Sequence, residues 1–498
     1  MEVAALCERS IERSQKKYKT RRHVMNCPDT GTDARREFGE RIVGLDSRPH
    51  KLAYETAAAM VEDISASDWP EGHLIGSVSE VRQRFGVGRK ACQEAITIMQ
   101  TRRLIDVRRG VGGGLYVSRP RLSDTADALI LHLALSRTPL RALRDSRIIV
   151  CQLAIRSLIR CGAHLVYRDA LPIARKEPRS AFYRQLAQAS GDPAIAFLMD
   201  LLDEVQQRYA AANRKNTAAS ADIHTEPLDN ALIQAIRSGD AETACRLVRN
   251  HIRALDGFAV SQPMDQTSFV QTTTFLDLKK SSGRLAGLIV EEILAHAADE
   301  SFKLGSEWDI GDRYGYAGEI VRPALRMLED LGIVACCRGR SGGVISTSPR
   351  IEAVVRLISS GIASCGISPA QNFELASQLV TEGVRLAAER NSGAPLSPTK
   401  DLPSKKIVTL IDLIDIENTL LDIMDNPILA IFVRSLALQS VFSKTLVDMA
   451  QFSSDVASAM RTCSLEISQA IHMGEPTAAV SAAERKCELM RREIERVS

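Results

Sequence analysis

Apolar residues recur at three- and four-residue steps through most of this chain, and two short stretches break that rhythm with a period of two. In the first, Val78, Val81 and Phe85 share one helical face. Gly86-Val87-Gly88 follows, and a glycine there suits the left-handed backbone that closes a helix. From Arg89 to Gln100, Ala91, Cys92, Ala95, Ile96 and Met99 form an apolar stripe, which leaves Arg89, Lys90, Gln93 and Thr97 opposite it. Leu104, Ile105 and Val107 then alternate as a strand, Arg108 and Arg109 lead into a glycine-rich tip, and Leu115-Tyr116-Val117 returns. The pattern predicts a helix-turn-helix followed by a basic-tipped hairpin.

The pattern recurs 229 residues later without a gap. Gly76 falls on Gly305, Ser77 on Ser306, Phe85 on Tyr314, Gly86 on Gly315, Ala95 on Ala324, Arg109 on Arg338 and Gly113-Gly114 on Gly342-Gly343. An amphipathic helix from Lys51 to Ile64 precedes the first copy, and Leu285 to Ala297 precedes the second. Pro323 lies about five residues into the second recognition helix, where it would remove an internal hydrogen bond unless it sits near the first turn.

Elsewhere helical spacing dominates. Thr125–Cys161, Arg179–Ala189, Pro193–Asn213 and Pro227–Val260 follow the first copy, and Asn372–Arg390, Leu420 to Asn426-Pro427 and Ala470–Lys486 follow the second. Ser261–Phe275 reads as a joint, and Asn391–Lys406, with three prolines, reads as an exposed insertion. The expected organisation is a basic tail (1–45), a winged helix-turn-helix (46–120), a helical domain (121–262), a linker (263–277), a second winged helix-turn-helix (278–350) and a second helical domain (351–498). The fold class is mainly α, with two small hairpin wings.

Composition narrows this picture. A chain of 498 residues exceeds what one core supports, so several domains are expected, and 4% aromatic content favours helices over a sandwich. The net charge of +3 is neutral evidence about nucleic acid, so local placement decides. From Arg89 to Arg109 there are six basic and two acidic residues, whereas Gly318 to Arg338 has three of each. Seven basic residues against one acidic between Arg9 and Arg22 mark a tail able to track phosphates. The eleven cysteines include no CxxC spacing, which argues for reduced thiols rather than a zinc ribbon. No apolar run spans a bilayer and no signal-peptide core opens the chain, so a cytoplasmic protein without membrane contact is expected. Motifs of the G-x-S-x-G, Walker and H-E-x-x-H types are missing, and no enzyme is implied.

Leu304-Gly305-Ser306-Glu307-Trp308-Asp309-Ile310, Arg313-Tyr314-Gly315, Val321-Arg322-Pro323-Ala324-Leu325 and Leu331-Gly332-Ile333-Val334 resemble the winged-helix signature of the GntR family of bacterial transcription regulators, and the first copy resembles it more loosely. Phe182-Tyr183-Arg184-Gln185-Leu186, Ser190-Gly191-Asp192-Pro193 and Ala235-Ile236-Arg237-Ser238-Gly239-Asp240 resemble the helical sensor of its fatty-acid-regulator branch, the FCD type. The resemblance implies double-stranded DNA as partner, a small organic acid as effector, and pairing of the two halves into an intramolecular pseudo-dimer that could itself dimerise. The competing expectation is a ligand-binding or protein-interaction module that has lost sequence-specific DNA binding.

Residue by residue, the family's three DNA-contacting arginines map to Ser79, Arg89 and Gln93 in the first copy and to Trp308, Gly318 and Arg322 in the second. The candidate DNA-binding set is therefore Arg89, Lys90, Gln93, Thr97, Arg108, Arg109, Arg322, Arg338 and Arg340. Many FCD-type sensors hold a metal through an Asp, a His four residues on and two later His. Those positions are Arg179, Tyr183, Asp229 and His251 here, and Leu413, Glu417, Ser464 and Lys486 in the second half, so no metal and no cofactor is expected.

Overall fold

The computed structural model describes residues 71–101, 103–110, 112–163, 179–212, 230–255, 281–296, 302–337, 343–347, 351–391, 410–441 and 454–497, with most of 56–64. The tail, the joint at 261–275, the insertion around 392–406, Asp229, Arg338 and Arg340 lie outside the described residues.

The first unit comprises β1 (Leu74–Gly76), α1 (Val78–Phe85), α2 (Arg89–Thr101), β2 (Ile105–Arg108) and β3 (Gly114–Val117). Its start is dictated locally by a capping box. The Ser77 N–H donates to Glu80 Oε2 at 2.7 Å, and the Glu80 N–H donates to Ser77 Oγ at 3.3 Å. Gly86, at φ 65°, takes the left-handed conformation that ends α1. The strands form an antiparallel sheet in the order β1-β3-β2, with Ile105 opposite Val117 and Arg108 opposite Gly114. Val81, Phe85, Cys92, Ala95, Ile96, Met99, Leu104, Ile105, Leu115 and Val117 close a core that Ala57, Met60, Val61 and Ile64 of the preceding helical residues complete. Val78 departs from the apolar face expected of it. As the first residue of α1 it lies beyond the packed turn and is exposed.

After α3 (Leu122–Leu135), α4 (Leu140–Arg160), α5 (Arg179–Ala189), α6 (Pro193–Ala212), α7 (Asn230–Ser238), α8 (Ala241–Leu255) and α9 (Ser281–Ala295), the same plan returns. It consists of β4 (Lys303–Gly305), α10 (Glu307–Tyr314), α11 (Gly318–Asp330), β5 (Val334–Cys337) and β6 (Gly343–Ser346), with strand order β4-β6-β5. Ser306 and Asp309 repeat the capping box at 2.7 and 3.2 Å, and Gly315 repeats the left-handed cap at φ 71°. Even the anchoring arginine recurs. Arg84 donates to the Ile75 carbonyl at 3.0 Å and pairs with Asp63 at 3.1 Å, while Arg313 donates to the Leu304 carbonyl at 2.9 Å and pairs with Glu292 at 2.6 Å. Pro323 falls inside the helix, as the alignment of the two copies places it. Helix α11 begins at Gly318, so the proline is its sixth residue, past the first turn, at a place where the helix gives up one interior bond.

Two helical blocks complete the chain, α3 to α8 and then α12 (Ile351–Ala363), α13 (Pro369–Asn391), α14 (Leu410–Ile423), α15 (Pro427–Val441), α16 (Ser454–Met473) and α17 (Pro476–Val497). The helical stretch expected from Thr125 to Cys161 divides in two, because Arg137 adopts φ 50° and Pro139 caps α4. Helix α3 is buried on all sides from Asp124 to Ala134, its polar residues Asp124, Thr125, Asp127 and His132 included. It meets its counterpart α12 of the other block, α4 meets α13 and α15, and α6 meets α12. At this seam a Cβ added at Gly361 would stand 2.3 Å from the Phe197 ring, so glycine lets α12 approach α6.

Polar groups join the blocks as well. Asn426, 2% exposed, accepts the Ile428 and Leu429 N–H groups at 3.1 Å each and the Ser146 hydroxyl at 3.2 Å, and donates to the Ala142 carbonyl at 3.2 Å. Arg156 pairs with buried Glu382, and Arg249 with Glu389 at 2.7 Å. The first unit keeps a core of its own, whereas that of the second unit is continuous with the first helical block. Among the described residues no helix is long and apolar enough to cross a membrane.

His132 on α3 is buried, with Nδ1 unbonded among the described groups, and burial lowers its pKa to about 4. The folded value lies below the ordinary one, so its stability contribution is intact above about pH 6.5 and lost as pH falls towards 4. The loss amounts to roughly 3 kcal/mol. Denaturant melts of wild type and His132→Leu at pH 7 and 4.5 should show the acid penalty shrinking in the variant.

Candidate nucleic-acid interface

The N-terminus of α2 projects Arg89 and Lys90 into solvent, and one turn later Gln93 is exposed on the same side. Thr97 belongs to that face by helical spacing, although its side chain lies outside the described residues. The positive end of the α2 dipole adds to these two cations, which suits an anion approaching the helix start.

Arg108 ends β2 and Arg109 begins the tip, both exposed. The register sets Asp106 opposite Tyr116, so Arg108 is the diagonal neighbour of Tyr116 on one face of the hairpin. The Arg108 guanidinium lies 4.0 Å from the Tyr116 ring centroid, and the Tyr116 hydroxyl donates to the Gly112 carbonyl at 2.6 Å. Tyr116 thus braces both the arginine and the loop beyond it, a role that sequence reasoning missed. Period-two spacing across the hairpin carried the signal.

The second unit presents a different face. Helices α1 and α2 carry four basic and two acidic residues, whereas α10 and α11 carry three basic and six acidic. Arg322 is exposed, but its Nε donates to Glu307 at 2.9 Å, so a phosphate would compete with a carboxylate for it. Trp308, 82% exposed, occupies the position of Ser79 in the first unit. Glu307 was also missed, because only the folded turn brings it to a residue fifteen positions away. Arg338 and Arg340 remain placed by sequence alone.

Comparison with known proteins adds the following. A search of curated proteins found no match. A solved structure of Streptococcus agalactiae GntR is similar at 20% sequence identity, covering 41% of this chain and 98% of that chain, with a TM-score of 0.22. The family model that matches is that of the FCD domain, over residues 172–254, so the later part of the first helical block is similar to that domain.

Proposed function

We propose that the chain is a DNA-binding transcription regulator of the GntR type, acting in the bacterial cytoplasm and built as an internal duplication. Each half comprises a winged helix-turn-helix and a helical sensor, divided as the sequence pattern suggests near residues 120, 262, 278 and 350. The observation that carries this reading is the first unit's basic face, in which Arg89 and Lys90 at a helix start stand with Arg108 and Arg109 on a braced wing. The FCD match over residues 172–254 supports a sensor in the first half, and the meeting of α3 with α12 supports two halves closed into a pseudo-dimer, which could pair again. A small organic acid is the proposed effector class.

The first unit dominates in this reading, since phosphate neutralisation supplies most non-specific affinity and the second face is acidic. That acidity, the Glu307–Arg322 pair and the core shared with the first block favour a second reading for α10 and α11 alone, as a packing or protein-contact unit. A mobility-shift titration on DNA upstream of the protein's own gene, at several salt concentrations, tests the main reading. Alanine at both Arg108 and Arg109 should weaken binding to all sequences alike and lower the salt slope by about two. Unchanged affinity and slope would remove the wing from the interface.

A further inference from the structure

The metal that FCD-type sensors carry needs several neutral or anionic donors converging on one point. Among the described residues the first block does not offer them. Tyr183 stands where the first histidine would be, its hydroxyl 2.7 Å from His251 Nδ1, and the Arg147 guanidinium lies 5.3 Å from the Tyr183 ring centroid. Among the described residues a dication there would have one imidazole and a phenol as partners and a fixed positive charge beside them. In the second block Glu417 and Lys486 occupy two of the four positions and form an ion pair, while fully buried Ser464, the third, gives its hydroxyl to the Met460 carbonyl at 3.0 Å. An ammonium has no lone pair to give a metal and repels one.

Both blocks therefore hold a buried cation of their own. The side chain of Arg147 is 9% exposed and pairs with fully buried Asp203, with Gln206 as a further acceptor, and Arg184 reaches Asp203 at 3.7 Å and Asp200 at 3.1 Å. The side chain of Lys486 is 8% exposed against Glu417, and the pair ties α17 to α14.

We infer that side-chain cations replace the metal ion in this protein, Arg147 bracing the first helical block and Lys486 cross-linking the second. Each cation joins helices through a carboxylate from a neighbouring helix, as a bound ion joins them through its ligands. Unlike an ion it arrives with the chain, so folding requires no metal supply. Removing one partner leaves the other poorly solvated, which costs more than the intact pair contributes.

The inference is tested on the full chain, and stability readouts keep it separate from DNA binding. Protein purified without chelator should contain less than about 0.1 equivalent of transition metal, taken as an order-of-magnitude threshold for a structural site. Its melting temperature should be the same with EDTA and with added zinc. Lys486→Met should lower that temperature by on the order of 5 °C, with or without zinc, and Lys486→Arg should retain most of it. Restoring Asp, His, His and His together at Leu413, Glu417, Ser464 and Lys486 should create a zinc-dependent melting temperature. Stoichiometric metal in the wild type would overturn the inference. So would a Lys486→Met protein as stable as wild type, or a folded fourfold variant indifferent to zinc.

Discussion

Alanine at both Arg89 and Lys90 is expected to weaken DNA binding by on the order of a hundredfold near physiological salt, with the fold intact. Both side chains are exposed at the start of α2 and lie outside the core cluster, so their removal is expected to leave Cys92, Ala95 and Met99 packed. An arginine at a base edge contributes about 1–3 kcal/mol, and each lost phosphate contact lowers the salt slope by about one. Arg322→Ala in the second unit should change affinity less than about threefold, because Glu307 beside it offsets its charge and α10 and α11 present six acidic residues to a phosphate. Circular dichroism on the same samples checks folding. Equal losses from the two units would show that the second face reads DNA as well as the first.

The second large effect concerns the seam between the helical blocks. Asn426→Ala removes the cap of α15, worth about 1 kcal/mol, together with the bonds to Ser146 and Ala142 of the other block, each about 1 kcal/mol. A loss near 3 kcal/mol in a denaturant melt is expected. Asn426→Asp should separate the two contributions. It keeps the acceptor for the Ile428 and Leu429 N–H groups but turns a second oxygen towards the Ala142 carbonyl. If the aspartate variant is as stable as wild type, the bond from Asn426 to the Ala142 carbonyl contributes nothing. Asp192, which accepts the Ala194 and Ile195 N–H groups at 2.9 and 3.2 Å in the first block, shows that a carboxylate serves the cap alone.

Much of this architecture was legible because its causes are local. Gly86 and Gly315 end helices by their own conformation, whereas the capping boxes of Ser77 with Glu80 and Ser306 with Asp309, although within four residues, emerged only with the structure. The register repeat of 229 transferred each feature to the second unit. Less legible were features that depend on a neighbour distant in sequence. Helical periodicity runs through Ser136–Thr138, yet Arg137 breaks the helix there, and α3 is buried all round where α12 covers it. The exposure of Arg89, Lys90, Arg108 and Arg109 on the proposed interface could be named in advance. Their partners could not, since Tyr116 under Arg108 requires the hairpin register and Glu307 beside Arg322 requires the turn. The ion pair of Lys486 with Glu417 is legible only after α17 has folded back towards α14.

The meeting of α3 with α12 has a consequence for mass action. A regulator assembled from two separate chains loses its pairing on dilution, and its stability varies with how much protein is present. Here the paired surfaces belong to one polypeptide, so their association is first order, and diluting the protein a thousandfold on the order-of-magnitude scale of cellular copy number leaves the seam closed. The closing of that seam is then independent of protein concentration, and a cell holding a few copies has the same fraction of closed molecules as one holding many.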